Sequence, residues 1–486
     1  MLKKNFIIIL FCIVLTSCIV LTSCKKNFLE VDPIGRVIAK TTNDYNNLFY
    51  NTALLATGSS DIQITLSDEV AGVSTYLSPA AVRIQNAFRW EKDIYLDTED
   101  PVEFVRLTGH VYLLNKIANE VMGSTEGSES EKRALQAEAL ATRAWSYFML
   151  INYYGKPYNP ATSASDPGFP IVTEADAAAT SFTRVSVQAV YDFIIKDLTE
   201  NIPDLPRNSN YALRQRMNKS SAIILLGKVY LFMGRYAEAL EQLNLAATLL
   251  PTNVTTEIYD YNQTLVVGGS WGYSPTVNSY TNGPLPFQSN EGMLARNFSS
   301  SFMPTSNVLL LTREAYNLYG ANDQRKKLFT AKANPASTNV TFPLNMVRRY
   351  GYNTVPSYGI TYPEYFLLRA ECKARTNDLA GAKEDLETLR KKRMPATDAV
   401  VNISDRNEMI RFVIDERQRE FAMTGYRWFD IRRLSVDPLF FGKTYTHVIY
   451  DISGTPLETF TLTPDRMTLR LPLKLMSQNP SMINNP

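Results

Sequence analysis

Apolar positions recur along much of this chain at helical spacing, in blocks set apart by polar, loop-forming stretches. From Leu135 to Tyr154, the residues Ala137, Ala141, Ala144, Phe148 and Ile151 fall three or four apart, which lines them along one face of a helix. Tyr154-Gly155-Lys156-Pro157 breaks that helix, a Pro/Ser/Gly-rich loop runs to Thr180, and Val190 to Leu198 resumes the pattern. Upstream, Val111, Leu114, Ile117, Ala118 and Val121 predict a preceding helix over Phe104–Met122.

The clearest unit is Ser220 to Leu250. Leu226, Gly227, Tyr230, Gly234, Tyr236, Ala239, Leu243 and Ala246, with Pro251 beyond, hold the spacing of a tetratricopeptide repeat. Gly227 and Ala239 are small enough for two antiparallel helices to approach closely. Tyr230 and Leu243 are expected to fill the groove between them, and Pro251 to stop the second helix. Tyr365 to Met394 repeats the unit in degenerate form, with Ala370, Asn377, Leu379, Ala382, Leu386 and Leu389 at matching offsets. There Lys373 stands in place of the packing tyrosine, and Pro395 comes one residue late. A helical hairpin of this kind cannot bury its apolar face alone, so copies must stack. The expected fold is therefore mainly α: a tetratricopeptide-like scaffold of about four helix pairs, within about 104–250 and 363–434, with long irregular inserts and a few short strands.

Between the two repeat units, residues 252–362 change character. Gly, Asn, Ser, Thr and Pro abound, with β-prone pieces such as Thr264-Leu265-Val266-Val267. An irregular insert of this length in an ordered domain is usually functional. Residues 435–486 form a second irregular region, with strand-like runs at Thr446–Tyr450 and Thr459–Thr463.

The first residues read as a leader. Lys3 and Lys4 precede an apolar stretch, Phe6 to Val20, which runs into Leu21-Thr22-Ser23-Cys24, the pattern of cleavage ahead of a lipidated cysteine. Cys18 ends a second Leu-Thr-Ser-Cys, but cleavage there would leave Ile19-Val20-Leu21 as an apolar stub. The expectation is thus a signal peptide over 1–23, lipidation at Cys24, and a single domain over 24–486. Losing residues 1–23 removes two lysines and no acid, which takes the formal charge from +2 to zero. With no dense basic run left, nucleic-acid binding is excluded as a function class. Beyond the leader and Cys24, only Cys372 remains, so no disulfide framework exists and stability must come from packing.

Catalytic chemistry is sparsely represented. The two histidines, His110 and His447, lack partners at metal-ligand spacing, and no phosphate loop, nucleophile elbow or Cys/His pair occurs. Cys372 falls in a repeat helix, as a buried inert thiol would. No catalytic residue, metal ligand or cofactor is expected. The block of Asp415, Glu416 and Glu420 with Arg417, Arg419, Arg427, Arg432 and Arg433 reads as a structural ion-pair network tying a C-terminal helix to the scaffold. A loop-built ligand site calls for flat aromatic faces rimmed by hydrogen-bonding groups. Trp90, Trp145 and Trp428 lie in blocks expected to be core, whereas Trp271 sits among loop formers with Tyr273, Tyr280 and Asn282. Trp271, Tyr273 and Tyr280 are the expected ligand surface, with Tyr76 a further candidate; the alternative is that they pin the insert to the scaffold.

Five separated segments resemble the SusD/RagB-like outer-membrane nutrient-binding lipoproteins of Bacteroidetes. They are Cys24 with Phe28-Leu29-Glu30 and Pro33; Ala137–Gly155, a long helix ending in Tyr-Gly-x-Pro; Pro363–Glu371; Glu416–Phe421 with Gly425–Arg433; and Leu471-Pro472-Leu473 with Asn479-Pro480 and Asn484-Asn485-Pro486. The resemblance covers essentially the whole mature length. It implies a surface-facing protein, held in the outer membrane by its N-terminal lipid, that binds oligosaccharide or polysaccharide without transforming it. It further implies delivery to a SusC-like TonB-dependent transporter as partner. Some relatives take peptides instead, and some carry a structural calcium. Lys25-Lys26 stand where members more often carry an acidic residue, a departure that bears on surface display. From other classes, a surface glycosidase would need only a suitably spaced carboxylate pair, and a pure assembly scaffold would use the repeats alone.

Overall fold

Residues 39–207, 214–251, 257–276, 280–299, 306–335, 340–350 and 357–486 are described by the computed structural model. The expected leader and the acyl acceptor Cys24 lie outside the described residues.

The scaffold runs through α1 (Val102–Glu120), α2 (Glu129–Tyr154), α3 (Val187–Asn201), α4 (Lys219–Phe232), α5 (Tyr236–Ala247), α6 (Tyr362–Arg375), α7 (Leu379–Arg390), α8 (Arg406–Phe421) and α9 (Tyr426–Leu434). Each helix packs on its predecessor in this order, and α8 also packs on α6. α2 begins on a capping box: the Ser128 hydroxyl accepts from the Glu131 N–H, and the Glu131 carboxylate accepts from the Ser128 N–H at 2.7 Å. It is buried on all sides from Ala141 to Tyr154, which makes it the axis of the stack. Gly155 ends it where a Cβ would collide with the Ile151 side chain. α3 is fixed to α2 by Arg143, whose guanidinium donates twice to Asp197 at 2.8 Å.

The two repeat units form as their spacing predicts. A Cβ on Gly227 would lie 3.0 Å from Leu243 Cγ, so α4 and α5 are as close as a glycine permits. The turn between the helices needs a left-handed residue, and the sequence supplies one in each unit: Gly234 (φ 75°) and Asn377 (φ 69°). Two details differ from expectation. Tyr230 is only half-buried, because the Arg235 guanidinium holds its ring from outside at 4.5 Å, and Tyr365 from α6 reaches inward instead, donating to the Leu243 carbonyl. α5 also stops at Ala247, ahead of Pro251, closing with three-residue turns. Lys373 finds a different use for the tyrosine position, pairing with Asp385 at 3.0 Å.

Distant segments meet in one four-stranded sheet. β1 (Val70–Val73), β2 (Leu310–Leu311), β3 (Thr446–Tyr450) and β4 (Pro456–Thr461) take the order β4-β3-β1-β2, with β3 parallel to β1 and the other pairs antiparallel. The sheet joins the insert to the C-terminal region through a core of Ala71, Val73, Leu310, Ala333, Phe342 and Met346. The β-prone piece at 264–267 is not a strand. Asp260 accepts from the Asn262 N–H and starts a single helical turn, Tyr261–Thr264, so a local side-chain bond outcompetes extension.

Candidate ligand-binding site

The support beneath the insert is made of buried charge. Glu416, fully buried, pairs with Arg325 at 2.7 Å, Arg390 at 2.6 Å and Arg419 at 2.9 Å. These cations hold its carboxyl far below the usual range against the opposing effect of burial. Asp430 lies between Arg417 (3.0 Å) and Arg433 (2.8 Å), and the two guanidiniums outweigh burial and pull it to about 2. Arg433 continues to Glu371 at 2.7 Å on α6, and Arg427 reaches Asp68 at 2.6 Å. The charged block is therefore the ion network its composition suggests, tying α8 and α9 to the repeats. Arg432 serves the backbone instead, donating to the carbonyls of Asn152, Gly155 and Met467. One buried acid behaves oppositely. Glu69 accepts only the Met423 N–H, at 2.7 Å, and its other oxygen has no hydrogen-bond partner among the described residues, so burial pushes it up to about 8.

Arg393 carries this network into the insert. It is fully buried, pairs with Glu420 (2.7 Å) and Glu291 (2.8 Å), and donates to the Tyr259 carbonyl at 2.7 Å. Its guanidinium lies 4.1 Å from the Tyr261 ring centre. Tyr259 and Tyr261 in turn pack on Trp271, at 5.3 and 5.2 Å between ring centres. Trp271 keeps 9% of its surface exposed. Beyond it, Gly272 (φ 64°) turns the chain, and the Trp271 carbonyl accepts from the Thr281 and Asn282 N–H groups at 3.1 and 3.0 Å. This fold-back lays Tyr280 over Trp271 at 5.8 Å, with Tyr350 at 6.5 Å beyond, both half-buried.

The structure thus brings Trp271 and Tyr280 together, with Trp271 as an almost buried base. Tyr273, half-buried, turns to Lys327, whose ammonium lies 4.8 Å over its ring. That ammonium donates to the Leu265 carbonyl and Gln324 at 2.6 Å each. Tyr76 stands apart beside the sheet, its ring edge-on to Phe342 at 6.0 Å. Sequence reasoning missed Tyr259, Tyr261 and Tyr350. The available signal was aromatic density, Tyr259-Asp260-Tyr261 and Tyr350-Gly351-Tyr352, within the same insert.

Three hollows of the described surface are lined by residues other than the four predicted ones. One of about 60 Å³ lies beside Ile94. A groove of about 400 Å³ follows α1, walled by Phe104, Tyr112, Tyr147, Phe169 and Phe182 with Asp100, Glu174 and Asp176 at its rim. A more polar cleft of about 550 Å³ opens beside Phe441. His110 and His447 are buried and bond to backbone carbonyls: Ala53 at 2.6 Å for His110, Phe88 and Ser67 at 2.8 and 2.6 Å for His447. Cys372 is buried, and burial pushes its thiol upward. Among the described residues no group of three or more His, Cys, Asp or Glu side chains could hold a metal ion. None of their helices is long and apolar enough to cross a membrane.

Two family models match the chain, and together they span more than half of it. Residues 81–231 match a model described as starch-binding associating with outer membrane, and residues 345–486 match the SusD family. No curated protein matches. Among solved structures, a SusD superfamily protein of Bacteroides thetaiotaomicron aligns with TM-score 0.66 at 18% identity, covering 92% of this chain and 100% of its own. A SusD-like carbohydrate binding protein of Bacteroides vulgatus aligns with TM-score 0.63 at 14% identity, covering 91% and 97%. A laminarin binding SusD-like protein aligns with TM-score 0.61 at 17% identity, covering 92% and 99%. At these identities the likeness shows the fold, in agreement with the helical scaffold.

Proposed function

The chain belongs to the SusD/RagB family, one of whose matching models is described as starch-binding associating with outer membrane, and from that premise we propose that it captures oligosaccharide or polysaccharide at the cell surface. It does so without chemistry of its own and passes the glycan to a SusC-like TonB-dependent transporter. Lipid on Cys24 tethers it to the outer membrane.

One observation carries the reading at this site: Tyr280 and Tyr350 spread, half-buried, from Trp271 over a support that Arg393 fixes. Rings held in place before a ligand arrives lose little entropy on binding, and exposed Thr281 and Asn282 beside them suit sugar hydroxyls. Tyr280 and Tyr350 are the contacting rings, Trp271 their base and Tyr273 a flanking contact, with Tyr76 a separate contact beside the sheet. The test is calorimetric titration of the purified chain lacking residues 1–24 with laminarin, starch, xylan and mannan, followed by analysis of the recovered glycan. Saturable binding of at least one glycan, recovered uncleaved, is expected; no binding to any of them, or shortened product, would overturn the reading. Capture of a TonB-dependent transporter with the full-length protein tests the partner.

Peptide capture is the second reading, favoured by the groove along α1. Its ring-lined walls offer few hydrogen-bond groups for a sugar: Tyr147 is already engaged with Val172, and Thr108 with the Phe104 carbonyl. A panel of apolar and basic peptides separates the two readings.

A further inference from the structure

The cleft beside Phe441 has the chemistry that the α1 groove lacks. It opens between the loop that follows α2 and the segment joining α9 to β3, encloses about 550 Å³, and lies within the roughly 300–1,000 Å³ range of ligand pockets. Phe441 stands at its mouth with 65% of its surface exposed. The neighbouring aromatic, Phe440, packs against the core. The ring is presented by an anchored turn. Asp437 accepts from the Leu439 N–H at 3.0 Å and pairs with Arg375 of α6 at 2.5 Å, and Gly442 (φ 80°) turns the chain immediately afterwards. Left in water, the ring forgoes the burial that stabilises most such side chains, and at the lip of a cleft its face is open to the apolar face of a ligand. Around it lie groups suited to hydroxyls: Lys156 paired with Asp166 at 2.8 Å, Asn159, and the exposed Thr444.

We propose that this cleft is a second carbohydrate-contact site, in which Phe441 stacks on the apolar face of a sugar ring while Asp166, Lys156 and Thr444 hold its hydroxyls. The proposal rests on the reading of the chain as a glycan binder and adds a contact separate from the Trp271 cluster.

The test uses the purified protein with laminarin, starch, xylan and mannan, and Phe441→Ala and Phe441→Trp variants checked for unchanged melting. For the glycan that the unmodified protein binds, Phe441→Ala weakens binding five- to twentyfold, and Phe441→Trp retains it. The Phe441→Trp protein gains a tryptophan emission that shifts as glycan is added, with the midpoint of the binding curve. If the unmodified protein binds a glycan but Phe441→Ala binds equally well and the Phe441→Trp emission is unmoved, this inference falls and the broader reading stands. If the unmodified protein binds none of the four glycans, both fall. Loss of transporter capture in Phe441→Ala with glycan affinity intact would also overturn it, since the ring would then be a protein contact.

Discussion

The C-terminal helices and the Trp271 segment of the insert are both locked onto the repeat scaffold, one chiefly by buried charge and the other chiefly by packed rings. Around α8 and α9, carboxylates each meet two or three guanidiniums in the interior. Around Trp271, four tyrosines pack edge to face or tilted, and Arg393 joins them to the charged side. A buried ion network is intolerant, because deleting one partner strands the others without water. A ring cluster tolerates change more gradually, since each ring loses mainly its own contact area. Charge therefore fixes the frame, and rings present the half-exposed face.

Five variants stress this contrast. Glu416→Gln strands the guanidiniums of Arg325, Arg390 and Arg419, and it should lower unfolding free energy by about 3–5 kcal/mol in urea titration. A loss under 1 kcal/mol would make the network ornamental. Trp271→Ala should cost about 3 kcal/mol, and its effect should appear as faster amide exchange across residues 257–294, with α8 and α9 protected as before. Equal loosening of α8 would erase the distinction between the two locks.

The pH dependence should show the charged half with a definite sign. Asp430 has its folded value depressed to about 2, so its stabilisation is present above the unfolded carboxylate range and lost as pH falls through about 2. Asp430→Asn should remove about 2 kcal/mol of acid-sensitive stability, given a shift of roughly 1.4 kcal/mol per unit. Glu69 is raised to about 8, so its contribution is full below the unfolded carboxylate value and is lost as pH rises through about 8. Glu69→Gln should flatten the decline in stability between about pH 4.5 and 8 and leave the acid arm below it unchanged. Smallest in stability is Tyr280→Ala, expected within about 1 kcal/mol by melting. Its effect should instead be a five- to tenfold loss of glycan affinity; a variant that melts lower yet binds normally would make Tyr280 a packing residue only.

The same contrast governs what the sequence disclosed. The repeats were legible because their physics is local: Gly227 against Leu243, Ala239 one helix on, and a left-handed Gly234 or Asn377 at a fixed offset are all written within about one repeat length. The charged block was legible as composition, though not as pairs, since Arg393 with Tyr259 and Arg427 with Asp68 join residues far apart in the chain. The insert was least legible. Its two-residue strands have no periodicity to read, and loop-forming neighbours suggested an exposed Trp271, whereas the fold-back to Thr281 and Asn282 covers it. Phe441 was overlooked because consecutive aromatics ahead of a glycine look like core until the turn sends one ring inward and the other out.

The central claim is capture without transformation, and calorimetric titration of the purified chain with the glycan panel, paired with size analysis of the recovered sugar, tests it most directly. The expected result is saturable binding to one glycan class, weakened by Tyr280→Ala, with the sugar returned at its original length. Absence of binding across the panel, or a sugar returned shorter than it was added, would contradict it.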